Sequence, residues 1–187
     1  MMPSPKLAHV ILNTSNFETM KKWYMQVLEA TVGVETSDHS VCFLRTDEAH
    51  HRFGIFNAAK IDDSIAVVPP GLDQVVPQSR LHHFSFEYPT LAELLDAQVR
   101  IADSSIVPTM CLNHGPTISI YYTDPDKNVI ELFYDTAYSE EQIIEFYDGG
   151  DANAFGATPF DPADMLHGLQ SGKPVAELIA WAPPSAR

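Results

Sequence analysis

Two histidines and one glutamate carry the chemistry that this sequence offers most plainly. The stretch LHHFSFE, residues 81–87, alternates like a strand, so His82, Phe84 and Phe86 share one face while His83, Ser85 and Glu87 share the other. The phenylalanines mark the core side, and His83 therefore opens a polar face that a sheet buries only for a purpose. Glu131, in NVIELFYD, shares a face with Val129 and Phe133 and has Ile130 and Leu132 as chain neighbours. A carboxylate set among apolar strand residues is either badly desolvated or bound to something. His9 opens a strand-like run, HVILN, just as His83 opens its own. Two imidazoles and one carboxylate form the facial set that leaves three adjacent positions open on a divalent iron.

Residues so far apart need elements that bring them together, and an internal repeat supplies them. AHVILNTSNFETMKKWYMQVLEA begins with alternation, Val10 and Leu12 on one face and His9, Ile11 and Asn13 on the other. It then turns helical, with a capping box expected at Ser15-x-x-Glu18 and an apolar stripe through Phe17, Met20, Tyr24, Val27 and Leu28. HFSFEYPTLAELLDAQVRIA repeats the plan, with Thr90-x-x-Glu93 as capping box and Leu91, Leu94, Leu95 and Ile101 as stripe. His9 and His83 are 74 residues apart, and Ser15 and Thr90 are 75 apart. Strand-like SVCFLRT and HRFGIFN follow the first helix, and TISIYYT and NVIELFYD follow the second. Each half reads β-α-β-β-β.

A sheet with its helix on one face needs cover on the other, which a second copy can give. The expected fold is therefore α+β: two paired βαβββ modules, about residues 6–58 and 80–135, forming one open barrel around a metal site within a domain spanning 1–135. Residues 136–187 are expected to form a helical extension. SEEQIIEFYD reads as a short acidic helix opened by Ser139, and FDPADMLHGLQSG has Asp161 as N-cap, Pro162 at the first helical position and Gly172 past the end. The extension is expected to cover an edge of the barrel or to make a homo-oligomer contact, in a dimer or higher assembly.

Composition excludes other functions. A formal charge of −14, with 11 Lys and Arg against 25 Asp and Glu, leaves no footprint for nucleic acid or an anionic membrane. No apolar run approaches the roughly 20 residues of a spanning helix, and MMPSPKLAHVIL lacks the pattern of a secretory signal, so a cytoplasmic location is expected. Cys42 and Cys111 have no C-x-x-C spacing and read as reduced thiols rather than nucleophiles.

The openings AHVIL and LHHFSFE, and above all NHGPTISIYYTDPDKNVIELF with its glutamate after a D-P-D turn, resemble the vicinal oxygen chelate superfamily. Within it the chain is most similar to the small, single-barrel type I extradiol dioxygenases, over about residues 6–135. The resemblance implies that His9, His83 and Glu131 hold Fe(II) or Mn(II). It also matches His51 in HHRFGIF to an acid/base histidine, His114 in NHGP to a second pocket histidine, and Tyr121 to a substrate-contacting tyrosine. Strand parity alone does not choose between Tyr121 and Tyr122. One departure is Lys127, where the family's turn usually carries glycine. His39 and His167 match nothing and are expected on the solvated surface.

The function so implied is oxidative cleavage of a catechol-type ring beside one of its hydroxyls, with a small aromatic diol and O2 as partners. Two alternatives share the fold: a glyoxalase- or epimerase-type isomerase, and a metal-free binding module. The isomerase wants a second carboxylate from the first half, yet subtracting the repeat offset from Glu131 leads to Asn57 or Phe56, neither a good ligand for a divalent cation. The binding module has no need of the ligand set at all.

Overall fold

The computed structural model describes residues 8–49, 52–60, 82–137, 139 and 157–181. They divide into two compact units. The first unit runs β1 (Val10–Thr14), α1 (Phe17–Val27), β2 (Thr31–Glu35), β3 (Val41–Arg45) and β4 (Phe53–Asn57), and includes the turn Asp124–Lys127. Its sheet has the order β1-β4-β3-β2, with β1 and β4 parallel and the other neighbours antiparallel. The second runs β5 (Phe84–Glu87), α2 (Leu91–Asp103), β6 (Met110–Asn113), β7 (Thr117–Thr123) and β8 (Val129–Asp135), then β9 (Thr158–Pro159), α3 (Pro162–Gln170) and α4 (Val175–Leu178). Its sheet, β5-β8-β7-β6-β9, repeats the first with β5 parallel to β8 and one strand added at the β6 edge. The chain is α+β, with two βαβββ modules as the periodicity implies. β2 and β6 complete each module; neither is marked by a strong apolar run, since β2 carries Gly33 beside a register shift and β6 is four residues long.

Each helix buries one stripe on its own sheet. In the first unit Phe17, Met20, Trp23, Tyr24 and Val27 are buried, and Leu28 sits at the C-cap rather than in the stripe. The Tyr24 ring lies 5.0 Å from Phe53 of β4, and its hydroxyl donates to Asp124 Oδ2 at 3.0 Å. Asp126 Oδ1 accepts from Asn16 Nδ2 at 2.6 Å, and the turn ends at Lys127, whose φ of +72° lies in the left-handed region that favours glycine. In the second unit Leu91, Leu94, Leu95, Ala97 and Ile101 are buried, and Ile118, Ile120, Tyr122, Ile130 and Leu132 form the sheet's apolar face.

The two helix starts differ. Thr90 Oγ1 accepts from Glu93 N at 3.2 Å and donates to Glu93 Oε2 at 2.8 Å, so Thr90 caps the helix and Glu93 reaches back to its hydroxyl. The expected box at Ser15 does not form: Asn16 is the N-cap and makes no side-chain cap bond. Thr14 Oγ1 takes the Asn16 N–H at 2.8 Å, the Asn16 amide is drawn to Asp126, and Glu18 pairs with Lys21.

The extension covers an edge. β9 pairs antiparallel with β6, α3 packs on α2, and Asn113 Nδ2 donates to Ile179 O at 3.0 Å. Asp161 Oδ1 caps α3 through Ala163 N at 2.8 Å, with Pro162 in the first turn and Gly172 at φ +84° past the end, as its sequence implies. The helix expected at SEEQIIEFYD lies outside the described residues, apart from Ser139. Among the described residues no helix is long and apolar enough to cross a membrane.

Thr90→Ala is expected to lower stability by about 1 kcal/mol, the usual worth of a side-chain N-cap. Ser15→Ala, at an exposed position that caps nothing, is expected to change it by less than about 0.5 kcal/mol. Urea denaturation of the two variants checks the contrast.

Candidate metal and acid/base site

The second sheet has one apolar face and one polar face, and the polar face is built from alternate residues of three neighbouring strands. β8 lies between β5 and β7, with Glu131 directly opposite Ser85 on one side and Tyr121 on the other. That register settles the tyrosine: Tyr121 shares the glutamate's face, while Tyr122, opposite Ile130, is fully buried with the apolar set. His83 immediately precedes β5 and carries the same parity as Ser85. Its Nε2 stands 3.1 Å from Glu131 Oε2. His82 is exposed, and its Nδ1 meets His83 Nδ1 at 2.6 Å. His83, not His82, reaches the carboxylate.

Glu131 is only 8 % exposed, so its charge must be met by protein groups. Tyr121 OH donates to Oε1 at 2.7 Å, and Ser85 Oγ donates to Oε2. Ser119, fully buried and two residues before Tyr121 on the same face, donates as well. Burial pushes the carboxyl's pKa up, but the hydrogen bonds from Ser85, Tyr121 and Ser119 and the neighbouring His83 charge outweigh it and hold the group below the usual carboxylate value. Ser85 and Ser119 lie inside LHHFSFE and NHGPTISIYYTDPDKNVIELF, but the sequence assigns neither of them a role. Their signal in the sequence is spacing alone, two residues after His83 and two before Tyr121.

His114 sits in the Asn113–Thr117 turn, its N–H donating to Thr117 O at 2.9 Å, with Gly115 at φ +85° beside it. Its Nε2 lies 3.0 Å from Tyr121 OH. Because that hydroxyl gives its proton to Glu131, its oxygen accepts from His114, and the proton of the imidazole is fixed on Nε2. Burial lowers the His114 pKa; Glu131 raises it and His83 lowers it, and the net position is below the ordinary histidine value. At neutral pH His114 is uncharged, with its Nδ1 lone pair unprotonated.

In the first unit, His9 precedes β1 as His83 precedes β5. Counting from these histidines, Ile11 corresponds to Ser85, and the strand registers then give the true counterparts. Ile11 stands opposite Gly54, where Ser85 stands opposite Glu131; Gly54 stands opposite Phe43, where Glu131 stands opposite Tyr121. The counterpart of Glu131 is thus Gly54 and not Asn57 or Phe56. The repeat offset, 74 at the histidines, has grown to 77 here, after a second helix of 13 residues against 11 in the first. A Cβ on Gly54 would press on Ile11 Cδ1, the tip of a part-exposed side chain, and lie 3.1 Å from Phe43 Cε1; glycine itself offers no ligand atom. Asn57 instead donates through Nδ2 to His39 O at 3.2 Å.

Of the remaining candidates, His51 lies outside the described residues. His167 is exposed on α3, as expected. His39 is also largely exposed but is not solitary: its Nδ1 lies 2.5 Å from Glu35 Oε1, beside Glu18. Lys21 Nζ fills that cluster, 2.9 Å from both Glu18 Oε2 and Glu35 Oε1, so it is a salt-bridge network with its own cation. Burial pushes Cys42 and Cys111 each up to about 11, which keeps both thiols protonated at neutral pH.

Known proteins place this architecture. The profile of the Glyoxalase/Bleomycin resistance protein/Dioxygenase superfamily matches residues 6–132. The biphenyl-2,3-diol 1,2-dioxygenase 2 of Rhodococcus globerulus is 35 % identical over 189 residues, covering 97 % of this chain and 92 % of that protein. Among solved structures, a glyoxalase/bleomycin resistance protein/dioxygenase from Nocardioides matches with TM-score 0.55 at 17 % identity, over 74 % of this chain and 89 % of that one. A lactoylglutathione lyase from Agrobacterium tumefaciens matches with TM-score 0.52, also at 17 % identity, over 72 % of this chain and 96 % of that one. These last two likenesses speak to the fold alone. With two βαβββ modules and a match running through both of them, the chain belongs to the Glyoxalase/Bleomycin resistance protein/Dioxygenase superfamily.

Proposed function

We propose that this dioxygenase opens a catechol-type ring beside one of its two hydroxyl-bearing carbons, using a divalent iron, or manganese in its place, held by His9, His83 and Glu131. The observation that carries the reading is the charged, buried Glu131 carboxylate 3.1 Å from a ring nitrogen of His83. Imidazole nitrogen and carboxylate oxygen without thiolate suit these metals, so the donor chemistry fits. His9 joins the set through its matching place before the first strand of its module. A metal held by two histidines and a carboxylate would supply the Lewis acidity that brings a diol and O2 together.

The chain's own groups would manage the protons. His114 keeps Nε2–H on Tyr121 and presents Nδ1 as a base that can take a proton from the diol. Tyr121 is oriented by Glu131 on one side and His114 on the other, which fixes its hydroxyl oxygen where a substrate oxygen can be recognised. His51 is the proposed acid/base partner that returns a proton later in the reaction.

The related Rhodococcus protein is named for biphenyl-2,3-diol and for attack at its 1,2 bond, which lies beside the diol carbons rather than between them. A biaryl diol is therefore the first substrate to try, followed by monocyclic catechols. The isomerase alternative asks for a second carboxylate, and the place equivalent to Glu131 is Gly54, which has no side chain to supply one. A metal-free binding module would leave Glu131 and its hydroxyl donors without a use.

The protein is purified without air, loaded with Fe(II), and given biphenyl-2,3-diol while O2 uptake and the yellow ring-opened product are followed. His9→Ala, His83→Ala and Glu131→Ala are each expected to lose most of the metal. His51→Phe is expected to keep it and lose about 10²- to 10⁴-fold in turnover. Absence of O2 uptake with every diol, or turnover of a glutathione hemithioacetal, overturns the reading.

His114 generates a pH prediction for the metal-free protein. Its folded pKa lies below the unfolded value near 6.5, so the unfolded chain binds the proton first and stability falls as pH drops below about 6.5. Glu131 acts with the same sign, but only toward and below the ordinary carboxylate range near 4.3. His114→Gln is expected to flatten the loss of stability between about pH 6.5 and 5, read from urea midpoints, and an unchanged slope contradicts the assignment.

A further inference from the structure

The two modules share a backbone plan, but the residues around the carboxylate differ in kind from their counterparts. At corresponding register positions the second module has Ser85, Ser119, Tyr121 and Glu131, where the first has Ile11, Val41, Phe43 and Gly54. The first sheet forms with three apolar side chains where the second has three hydroxyls, so the hydroxyls are not a requirement of the strand pairing. They occur where the carboxylate occurs, and all three donate to it. Ser85 is the most telling. It is two residues after His83 on one strand face and directly opposite Glu131 in the parallel register, and its donor bond falls on Oε2, the oxygen that also faces His83 Nε2. Tyr121 holds the other oxygen.

From this geometry we infer that Ser85 and Ser119 are positioning residues for the metal ligand, holding the Glu131 carboxylate so that Oε2 and His83 Nε2 are presented to one metal ion. The inference rests on the metal reading above and deepens it. Neither serine touches substrate or metal. Ser85 fixes the rotation of the carboxylate from the β5 side, and Ser119 from the β7 side, its own hydroxyl bonded to Thr117 Oγ1 at 3.0 Å. A carboxylate left with fewer donors swings more freely and loses metal affinity before it loses its place in the fold, since such outer partners are typically worth about 10- to 100-fold in affinity.

The test is titration of the full-length, metal-free chain with Fe(II) and with Co(II), whose visible absorption reports coordination geometry. Ser85→Ala and Ser119→Ala are each expected to weaken binding about 10- to 100-fold and to change the Co(II) spectrum, while the thermal midpoint of the metal-free protein stays near that of the parent. Ser85→Thr, which keeps the hydroxyl, is expected to recover most of the affinity. Parent-like affinity and spectrum in both alanine variants overturn the positioning role, as does a lowered apo midpoint with unchanged affinity, which marks a purely structural hydroxyl. If the parent protein takes up no metal, or if His83→Ala and Glu131→Ala bind as it does, the metal reading itself fails and takes this inference with it. Because the serines are varied singly on opposite sides of Glu131, misfolding of one variant leaves the other to decide.

Discussion

A carboxylate that stays charged while nearly closed off from water is the constraint around which the second module is organised. Glu131 lies on β8, an interior strand of its sheet, so both flanking strands can supply donors to it. β5 gives Ser85, β7 gives Tyr121 and Ser119, and the turn before β7 gives His114 to steady the tyrosine. Several donors share the carboxylate's charge, and Tyr121 and Ser119 are themselves held by His114 and Thr117. This sharing is why the strand order matters. The parallel β5–β8 pair, reached through the α2 crossover, is what sets a residue two beyond His83 directly opposite the glutamate.

The first module has the same order of strands and a helix in the same place, but spends its matching face on apolar side chains around a glycine. Both copies retain the histidine that precedes the first strand, while one copy carries the carboxylate with its donors and the other none of them. A shared strand order thus carries two unlike surfaces.

Much of this was legible in the chain because period-two and period-3.6 patterns are strong where one face is buried. LHHFSFE separates His83 from His82 by parity, and both helix stripes follow from their spacing. Thr90 and Asp161 read correctly as caps because nothing nearby competes for their side chains. Ser15 did not, because Thr14 and Asp126 capture the neighbouring groups, and Asp126 is 110 residues away from Asn16 in sequence. The choice of Tyr121 over Tyr122 depends on which residue of β8 stands opposite, a fact of pairing rather than of either strand. The counterpart of Glu131 was misread because a single offset assumes equal element lengths, and the second helix is longer. Ser85 and Ser119 were missed for a simpler reason: the spacing of a serine on a strand has no meaning until the residue opposite it is known.

Gly54 and Ile11 also govern how readily this chain could drift toward other chemistry. A side chain at position 54 meets Ile11 Cδ1, the tip of a part-exposed side chain on the neighbouring strand, so Gly54→Glu asks Ile11 to turn aside and the Phe43 ring to give slightly. Contact between neighbouring strands thereby couples the two positions, and the effects of changing them do not simply add.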